Sequence, residues 1–555
     1  MAFVSGLMAQ RAPILVAELG RRAGPFMCTC VPRWPRRSGA DPAAQLRAGP
    51  GFAVAHAEQS GPTRLHGWRD MRSCRARGWR YQRGIAEVAQ HTTVIKDATV
   101  VTVDRDDTIH YDAAVAIQDG RIAAVGPSRE IAARFQGAHA IDGSGKVVMP
   151  GFANIHTHFT LIIAKGIYED LSPPHKPPFT SGLAPLPVPE LTRDEMIAMV
   201  RLAALEAIRS GTTAALEDGS NVENYAQSIA DTGLRLLLCE KAWDKAKGNI
   251  GDPGPFDVDA ALGDDCIART EALHAKWNGA RNGRITVGVS AWAPDMCSPD
   301  LLRKLRTLQD KLDTVATIHL NQVWGEVSAV EKIRNRKPTE YLADIGFLND
   351  RLICAHCRCM VREEERLLGA ARTNVAFNAC IAARRGLSPR VHDLQEFGCN
   401  IGMGTDNMAE DMVEVMRTGM FMERVRREDG RQPTPEEAMR WATVNGYRAM
   451  GIPDGGSLEQ GKKADLIMID FRRAHLAPRL RVVSTFVHQG QGRDVTDVMV
   501  DGAWLMREGK VLTMDEDATV AQAQRVAETA WARLFARRPD LKPIAGWQPM
   551  HAAAG

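Results

Sequence analysis

The stretch Pro150-Gly151-Phe152-Ala153-Asn154-Ile155-His156-Thr157-His158 decides the fold of this 555-residue chain. It continues the apolar residues 147–149 and predicts a buried strand that ends in His-x-His. Side chains two residues apart on a strand lie on the same face, so both imidazoles point the same way. Two neutral imidazoles on one face form half of a metal site.

Three later apolar runs also end in a residue that can bind a metal. His319 ends the run 315–318, His356 ends 352–355, and Asp406 ends 401–405. Each histidine alone would more often be an ordinary core residue, but the five positions coincide. Metal-binding side chains at the carboxyl ends of successive strands predict a metal centre at the mouth of a (β/α)8 barrel.

Taken together, these motifs resemble the amidohydrolase superfamily, and within it the branch of cytosine deaminases, adenosylhomocysteine/methylthioadenosine deaminases and triazine hydrolases. The resemblance covers about residues 90–515. Residues 119–126 and 142–146 resemble the leading half of the family's β-sandwich, and residues 456–466 and 498–502 resemble the returning half. It implies an α/β fold: a (β/α)8 barrel with a small composite β-sandwich domain.

The alternation of apolar runs and helical stretches supports this fold, because eight strands each followed by a helix form a closed parallel barrel. The eight runs are 147–155, 212–216, 234–239, 285–289, 315–320, 352–356, 374–377 and 400–404. The predicted helices are 193–209, 300–311, 363–371, 413–428, 435–450 and 520–535. We expect the β-sandwich over 89–148 and 455–515, the barrel over 149–454, and a terminal helix and tail over 516–555.

The net charge of +3 is unevenly distributed. Residues 1–83 contain 14 arginines, no lysine and four acids, which leaves 56 basic and 63 acidic residues in the rest, a net charge of −7. A mildly acidic body gives no reason to expect a nucleic-acid partner. No apolar run reaches the roughly 18–20 residues of a membrane span, so we expect no membrane association.

The arginine-rich leader has three interpretations: a transit peptide, which has a similar composition, a basic arm, or upstream DNA translated from a start codon placed too early. We favour the last, and we expect residues 1–88 to be disordered or absent from the mature protein. Nothing among the eleven cysteines demands an oxidising compartment, so the cytoplasm is the expected location. Cys354, Cys357 and Cys359 around His356 are expected to be packing residues.

A proline-rich loop follows the first two histidines. Residues 171–190 contain seven prolines, and rigid extended backbone above a barrel mouth is typical of a wall or lid over the substrate. A plain surface loop is the alternative.

The resemblance implies that His156, His158, His319 and Asp406 bind one divalent metal ion, zinc or alternatively iron. Asp406 would also take the proton of the attacking water, and His356 would contact that water or the polarised substrate atom. Two-metal relatives bridge their ions with a carboxylated lysine on the fourth strand. Residues 285–292 contain no lysine, and Lys241 follows the third strand, so we expect one metal.

The chain departs from the deaminase pattern directly after His319. Deaminases of this branch carry His-x-x-Glu, whereas this chain has Gln322 at the Glu position. Glutamine cannot act as a general acid or base, and Glu326 is not an obvious substitute. The pocket walls are expected at or just beyond the strand ends, in positions that could equally be core: Trp292, Trp324, Phe377, Asn378, Cys380 and Asn407.

We therefore expect a metal-dependent hydrolase, not a peptidase, that cleaves a C–N or C–halogen bond of a small aromatic or heterocyclic molecule. Gln322 favours a urea, carbamate, amide or triazine-type substrate, with Gln322 orienting it. A purine or pyrimidine deaminase is the first alternative, and a non-catalytic barrel scaffold is the second. A homodimer is expected, since dimers are common among similar proteins.

Overall fold

A computed structural model of the chain describes residues 92–169, 187–252 and 254–541. Its strands are β1 Thr93–Val101, β2 Ile109–Gln118, β3 Arg121–Pro127, β4 His139–Asp142, β5 Lys146–Pro150, β6 Phe152–Thr157, β7 Thr212–Gly219, β8 Arg235–Ala242, β9 Ile285–Ala291, β10 Ala316–Leu320, β11 Leu352–His356, β12 Asn374–Phe377, β13 Asn400–Met403, β14 Leu466–Asp470, β15 Val495–Val500, β16 Ala503–Arg507 and β17 Lys510–Val511. The predictions for residues 1–88 lie outside the described residues.

The helices surround and connect these strands. They are α1 Ser128–Arg134, α2 Arg193–Arg209, α3 Ala226–Ala230, α4 Ala260–Trp277, α5 Ala280–Gly283, α6 Pro299–Leu312, α7 Trp324–Arg334, α8 Pro338–Asp344, α9 Arg362–Ala370, α10 Ala379–Arg385, α11 Val391–Phe397, α12 Met412–Arg427, α13 Pro435–Ala442, α14 Val444–Ala449, α15 Val482–Gln489 and α16 Glu516–Arg537. Within the described residues, no helix is long and apolar enough to cross a membrane.

Strands β6–β13 form a closed barrel in which every neighbouring pair is parallel. The last strand, β13, pairs with the first, β6, through Met403 and Asn154, which closes the ring. This confirms the predicted (β/α)8 barrel. Because parallel strands all end at one mouth, the side chains at their carboxyl ends converge there.

The single first strand predicted over residues 147–155 is wrong, because the run contains two strands. β5 pairs with β1 and β14 outside the barrel, and β6 begins the barrel. Gly151 separates them, and a Cβ at this position would overlap the Thr213 side chain. Both strands are buried on both faces, so the apolar pattern alone cannot show the break between them.

The second sheet joins segments from before and after the barrel. Its order is β17-β16-β15-β14-β5-β1-β2-β3, and β4 pairs with β1. Buried side chains from both segments share one core that includes Val115, Val148, Met468 and Met499. The segments therefore build one composite β unit beside the barrel, whereas the residue boundaries of the domains stay predictions.

Two of the predicted helices differ from the structure. The helix predicted over residues 435–450 is split into α13 and α14 at Thr443, whose backbone is not helical at φ −128° and ψ −101°. The terminal helix is longer than predicted because Asp515 caps it, accepting a hydrogen bond from the Ala518 N–H. By contrast, α2 begins and ends where the sequence predicts, after a capping box formed by Thr192 and Glu195.

Candidate metal centre

The structure brings the five predicted residues together at the mouth of the barrel. His156 lies near the end of β6 and His158 just beyond it, His319 lies on β10, His356 ends β11, and Asp406 follows β13. All five are at most 4% exposed. The four imidazole rings have centroids 4.7–5.4 Å apart in five of their pairs.

His158 and His319 present the same nitrogen to one point. Their Nδ1 atoms lie 2.6 Å from the Asp218 carbonyl and 2.7 Å from the Trp292 carbonyl, respectively. A carbonyl can only accept, so each Nδ1 carries the proton and each Nε2 carries a lone pair. The two Nε2 atoms are 3.1 Å apart. Two lone pairs at this distance repel each other, and a cation between them would remove that repulsion.

His156 supplies a further nitrogen that could bind a metal, because neither of its ring nitrogens has a hydrogen-bond partner in the described residues. Burial lowers the pKa of His156 and His158 well below the usual value and that of His319 to about 3. The three rings are therefore neutral, which is the form that binds metals.

Asp406 is fixed by the backbone of the first strand. Its N–H donates to the His156 carbonyl at 3.0 Å, and its carbonyl accepts from the His158 N–H at 2.8 Å. The carboxylate Oδ1 then lies 3.7 Å from His158 Nε2, and Oδ2 is buried without a hydrogen-bond partner. Burial raises the pKa of Asp406 to about 6, and the charges of Arg358 and Arg385 oppose that shift.

His356 has the opposite proton arrangement from the two paired histidines. Asn378 Nδ2 lies 3.1 Å from His356 Nδ1 and donates to it, so the neutral ring carries its proton on Nε2. That Nε2 is buried without a partner. His356 can therefore donate a hydrogen bond into the site, whereas His158 and His319 can only accept or ligate there.

The donor set fits a divalent cation of the zinc or iron(II) type. Three neutral imidazoles and one carboxylate are the ligands these ions prefer, at about 2.0–2.2 Å. The 3.1 Å separation of the two Nε2 atoms is compatible with two ligands of one ion. His156, His158 and His319 also lie together with Asp218 in one metal-compatible cluster, and His156, His356 and Asp406 in a second.

A protein-family comparison identifies this site. The model of the amidohydrolase family matches residues 147–505, which include the whole barrel and every residue of the centre. The chain belongs to the amidohydrolase family. An imidazolonepropionase-like composite domain of bacteria also matches residues 113–135, in the composite β unit. The amidohydrolase is thus a hydrolase that acts on carbon–nitrogen bonds, in a family that uses a divalent metal.

Curated relatives extend the match over most of the chain. A 5-methylthioadenosine/S-adenosylhomocysteine deaminase from Pelotomaculum thermopropionicum is 30% identical over 78% of this chain and 98% of its own length. A 5′-deoxyadenosine deaminase from Methanosarcina barkeri is 30% identical over 80% of this chain and 99% of its own length.

Solved structures show the same architecture. An adenosine deaminase from Xanthomonas campestris with bound zinc aligns with a TM-score of 0.71 at 25% identity, over 79% of this chain and 98% of its own. An atrazine chlorohydrolase from Arthrobacter aurescens, complexed with zinc, has a TM-score of 0.68 at 19% identity over 78% and 100% of the two chains. The second likeness shows the fold alone.

Asp218 is the residue of the amidohydrolase centre that the sequence analysis missed. It lies on β7, where the sequence analysis ended the strand at residue 216. Its Oδ1 accepts from Ser290 Oγ at 2.6 Å, and its Oδ2 lies 3.9 Å from the Nδ1 atoms of both His158 and His319. Asp218 therefore orients His158 through its backbone carbonyl and places a carboxylate behind both histidines. An acid next to the end of an apolar run was the signal that could have revealed it.

Lys241 lies within β8, not after it as predicted. Its Nζ is 3.7 Å from Asp218 Oδ2 and 5.8 Å from the centre of the Trp292 ring. A cavity of about 220 Å³ opens between Lys241, Asp218 and His158. Val188 and Pro189 line this cavity, so the end of the proline-rich loop forms a wall beside the centre. Residues 170–186 of that loop lie outside the described residues.

Gln322 and Glu326 have different roles at the end of β10. Glu326 accepts from the N–H groups of Asn321 at 2.8 Å and of Gln322 at 2.6 Å, so both of its oxygens hold the backbone. That Glu326 does not replace the missing acid stays a prediction, and these two backbone contacts are consistent with it. Gln322 is 6% exposed and its Oε1 is buried without a partner in the described residues, which leaves this oxygen free to accept a hydrogen bond from a ligand.

The remaining predicted pocket residues fall into two groups. Four of them lie at the mouth. The Trp292 carbonyl accepts a hydrogen bond from His319, and Asn378 donates one to His356. Trp324 begins α7, and Asn407 has a buried Oδ1 without a partner in the described residues. Phe377 and Cys380 face other elements. Phe377 packs against Trp441, and Cys380 contacts Thr418 on α12, so both belong to the core.

A buried carboxylate network supports the centre from below. Glu410 accepts from Asn154 Nδ2 at 3.0 Å, from Thr157 Oγ1 at 2.7 Å and from Thr405 Oγ1 at 2.7 Å. Asn154 Oδ1 in turn accepts from the Thr405 N–H at 3.1 Å. The ends of β6 and β13 are thereby fixed to each other, which sets the positions of His156 and Asp406.

Gly404 is required where these two strand ends meet. A Cβ there would lie 2.7 Å from the His156 carbonyl oxygen and would also overlap Asn378 Oδ1. We expect Gly404→Ala to lower the free energy of unfolding by about 1–3 kcal/mol and to reduce metal content more strongly, because His156 must shift. Thermal unfolding and metal analysis measure both effects. Gly430→Ala, with no atom within 4 Å of the added Cβ, is the matched control, and equal behaviour of the two variants would contradict this prediction.

Proposed function

We propose that His156, His158, His319 and Asp406 hold one divalent metal ion, zinc in the first instance. The convergence of two lone pairs at 3.1 Å, the unpartnered nitrogens of His156 and the carboxylate of Asp406 support this assignment. A second, lysine-bridged ion has no support, since β9 carries no lysine and Lys241 Nζ faces Asp218.

An ion held by these four residues would lower the pKa of a bound water towards neutrality. The protein's own groups then divide the remaining work. Asp406 would accept a proton through Oδ2, the oxygen without a hydrogen-bond partner. His356 would donate a hydrogen bond to the substrate through Nε2–H, with Asn378 fixing its ring. Gln322 donates or accepts one hydrogen bond at the substrate without changing its own charge.

We propose that the reaction is the hydrolysis of an exocyclic C–N bond on a flat heterocycle, with release of ammonia. The observation that carries this proposal is the full-length similarity to adenosine-type deaminases at 30% identity, with 98–99% of each relative covered. The sequence analysis placed this reaction second, after urea, carbamate, amide or triazine hydrolysis, and the comparisons favour the reverse order.

Gln322 is the specific observation that favours the second candidate. Expelling ammonia from a ring needs a proton donor, and a positioned acid contributes about 10²- to 10⁴-fold. A carbonyl attacked directly, or a leaving group that departs unprotonated, needs less help. A urea, carbamate, amide or halogenated triazine therefore remains a candidate substrate.

A substrate panel distinguishes the two candidates. The metal-loaded chain is incubated with adenosine, 5′-deoxyadenosine, 5′-methylthioadenosine, cytosine, a chlorinated s-triazine, a phenylurea and an aryl carbamate, and products are identified by mass. Replacement of an amine by hydroxyl on an intact purine or pyrimidine supports the deaminase. Scission at a carbonyl, or loss of chloride alone, contradicts it in favour of the second candidate.

Restoring the acid at position 322 is expected to accelerate deamination. In Gln322→Glu the new carboxyl can shuttle a proton, so ammonia release from the panel's best purine should rise about 10-fold or more. A coupled ammonia assay measures it. Gln136→Glu, on the exposed surface, is the control and should change nothing. A loss of activity on purines in Gln322→Glu would contradict the deaminase proposal.

The cytoplasmic location and the homodimer stay predictions. Light scattering of the purified chain tests the second, and a mass corresponding to one chain would contradict it.

A further inference from the structure

Two arginines at the mouth of the barrel have no ion-pair partner in the described residues. Arg358 lies two residues after His356 and is 8% exposed, and its Nη1 is buried without a partner. Arg385 ends α10, and its Nη1 is likewise buried without a partner. An unpaired charge held away from water costs free energy, so a buried guanidinium normally has a counter-charge.

Arg235 shows how this protein treats a buried arginine that is purely structural. It is 1% exposed, and its Nε and Nη2 bond both oxygens of Asp465 at 2.7 and 3.0 Å, while Asp501 bonds Nη2 as well. Within the described residues, Arg358 makes a single hydrogen bond, in which Nε donates to the Gln322 backbone carbonyl at 3.1 Å. The other edge of the planar guanidinium has the geometry to donate two parallel hydrogen bonds to a planar oxyanion.

Both arginines act on the atoms of the metal centre. Burial and, after it, the charge of Arg358 lower the pKa of His356, and burial raises the pKa of Asp406 against the opposing charges of Arg358 and Arg385. Lys241 adds a third cation, 3.7 Å from Asp218. The carboxylate of Asp406 acts on both arginines, that of Glu326 on Arg358 and that of Glu169 on Arg385, but none of them forms an ion pair with either arginine in the described residues.

We propose that Arg358, assisted by Arg385, binds an oxyanion substituent of the substrate, a carboxylate or a phosphate. This inference rests on the proposed function for the identity of the site, and it narrows the substrate to an anionic heterocycle. The Nε bond to the Gln322 backbone carbonyl fixes the guanidinium beside residue 322, whose side-chain Oε1 is buried without a partner, and we infer that one substrate contacts both side chains. A neutral substrate would leave this edge of the guanidinium without an anionic partner.

Binding to the metal-loaded full-length chain tests the proposal without turnover, so it stands or fails separately from the reaction. The probes are benzoate, phenyl phosphate and neutral benzamide, titrated by calorimetry. We expect one anion to bind about 10- to 100-fold more tightly than benzamide, and Arg358→Gln to remove most of that preference. Arg358→Lys should retain part of it. The tighter anion identifies carboxylate or phosphate as the natural group.

The controls separate the arginine from the metal and from folding. Arg362→Gln changes an exposed arginine paired with Asp393 and should leave the preference intact. Arg385→Gln breaks no hydrogen bond within the described residues and should reduce the preference several-fold, so it decides the question if Arg358→Gln does not fold. Equal binding of anions and benzamide to the wild type would overturn the proposal. The proposal would also be overturned if Arg385→Gln, and Arg358→Gln where it folds, kept the full preference for the anion. That result would mean that the anion binds to the metal.

Discussion

His319→Ala is expected to lose the metal and, with it, turnover. His319 Nε2 lies 3.1 Å from His158 Nε2, and each of the two atoms carries a lone pair. The Trp292 carbonyl holds the His319 ring in place. Removing an outer partner of a ligand typically costs 10- to 100-fold in affinity, so removing the ligand should cost more than about 100-fold. Turnover should fall by about 10³-fold or more, roughly 4 kcal/mol of activation free energy. Metal analysis after dialysis and initial rates on the panel's best substrate measure both.

Two further variants make that result specific. His392→Ala removes a half-exposed histidine paired with Glu396 and should keep full metal content and activity. His356→Ala should keep the metal but lose turnover, because the His356 lone pair is already taken by Asn378. Full metal content in His319→Ala, or metal loss in His356→Ala to the same extent, would contradict the assignment of roles.

The fold was predictable because the barrel strands are short, buried and separated by amphipathic helices. β11 and β12 have the residues that the apolar runs predict, and α2 has the predicted ends because Thr192 and Glu195 form a capping box. The break at Gly151 was not predictable. It depends on which sheet each half joins, a contact with Thr213 from a distant part of the sequence.

The metal centre was predictable only where strand ends carry a histidine or an aspartate after an apolar run. Asp218 was missed because β7 continues past its apolar part through Glu217 and Asp218, where the polar sequence suggests a loop. Arg358 gave no signal either, since a single arginine after a strand is usually solvated. The role that we propose for Arg358 comes from three-dimensional facts, namely its burial and its buried Nη1 without a partner in the described residues.

Asp406→Asn is expected to reduce kcat by about 10²- to 10⁴-fold, the usual contribution of a general base. Asparagine is the informative replacement because Asp406 has a φ of +72°, a left-handed conformation that asparagine tolerates as well as aspartate does. The backbone bonds of residue 406 to His156 and His158 are kept. The variant therefore removes the charge and the proton-accepting oxygen while leaving the fold intact.

The same variant should make the metal-free protein more stable, which separates lost chemistry from lost structure. Burial raises the folded-state pKa of Asp406 to about 6, above the value of an unfolded aspartate, so ionisation of this carboxyl destabilises the fold. That cost is absent below the ordinary aspartate pKa and complete above pH about 6. At pH 8, the free energy of unfolding of metal-free Asp406→Asn should be about 1–3 kcal/mol higher than that of the metal-free wild type. This difference should vanish towards pH 4. A variant that loses turnover and is also less stable at pH 8 would mean that Asp406 has a structural role, and the assignment of the general base would then be wrong.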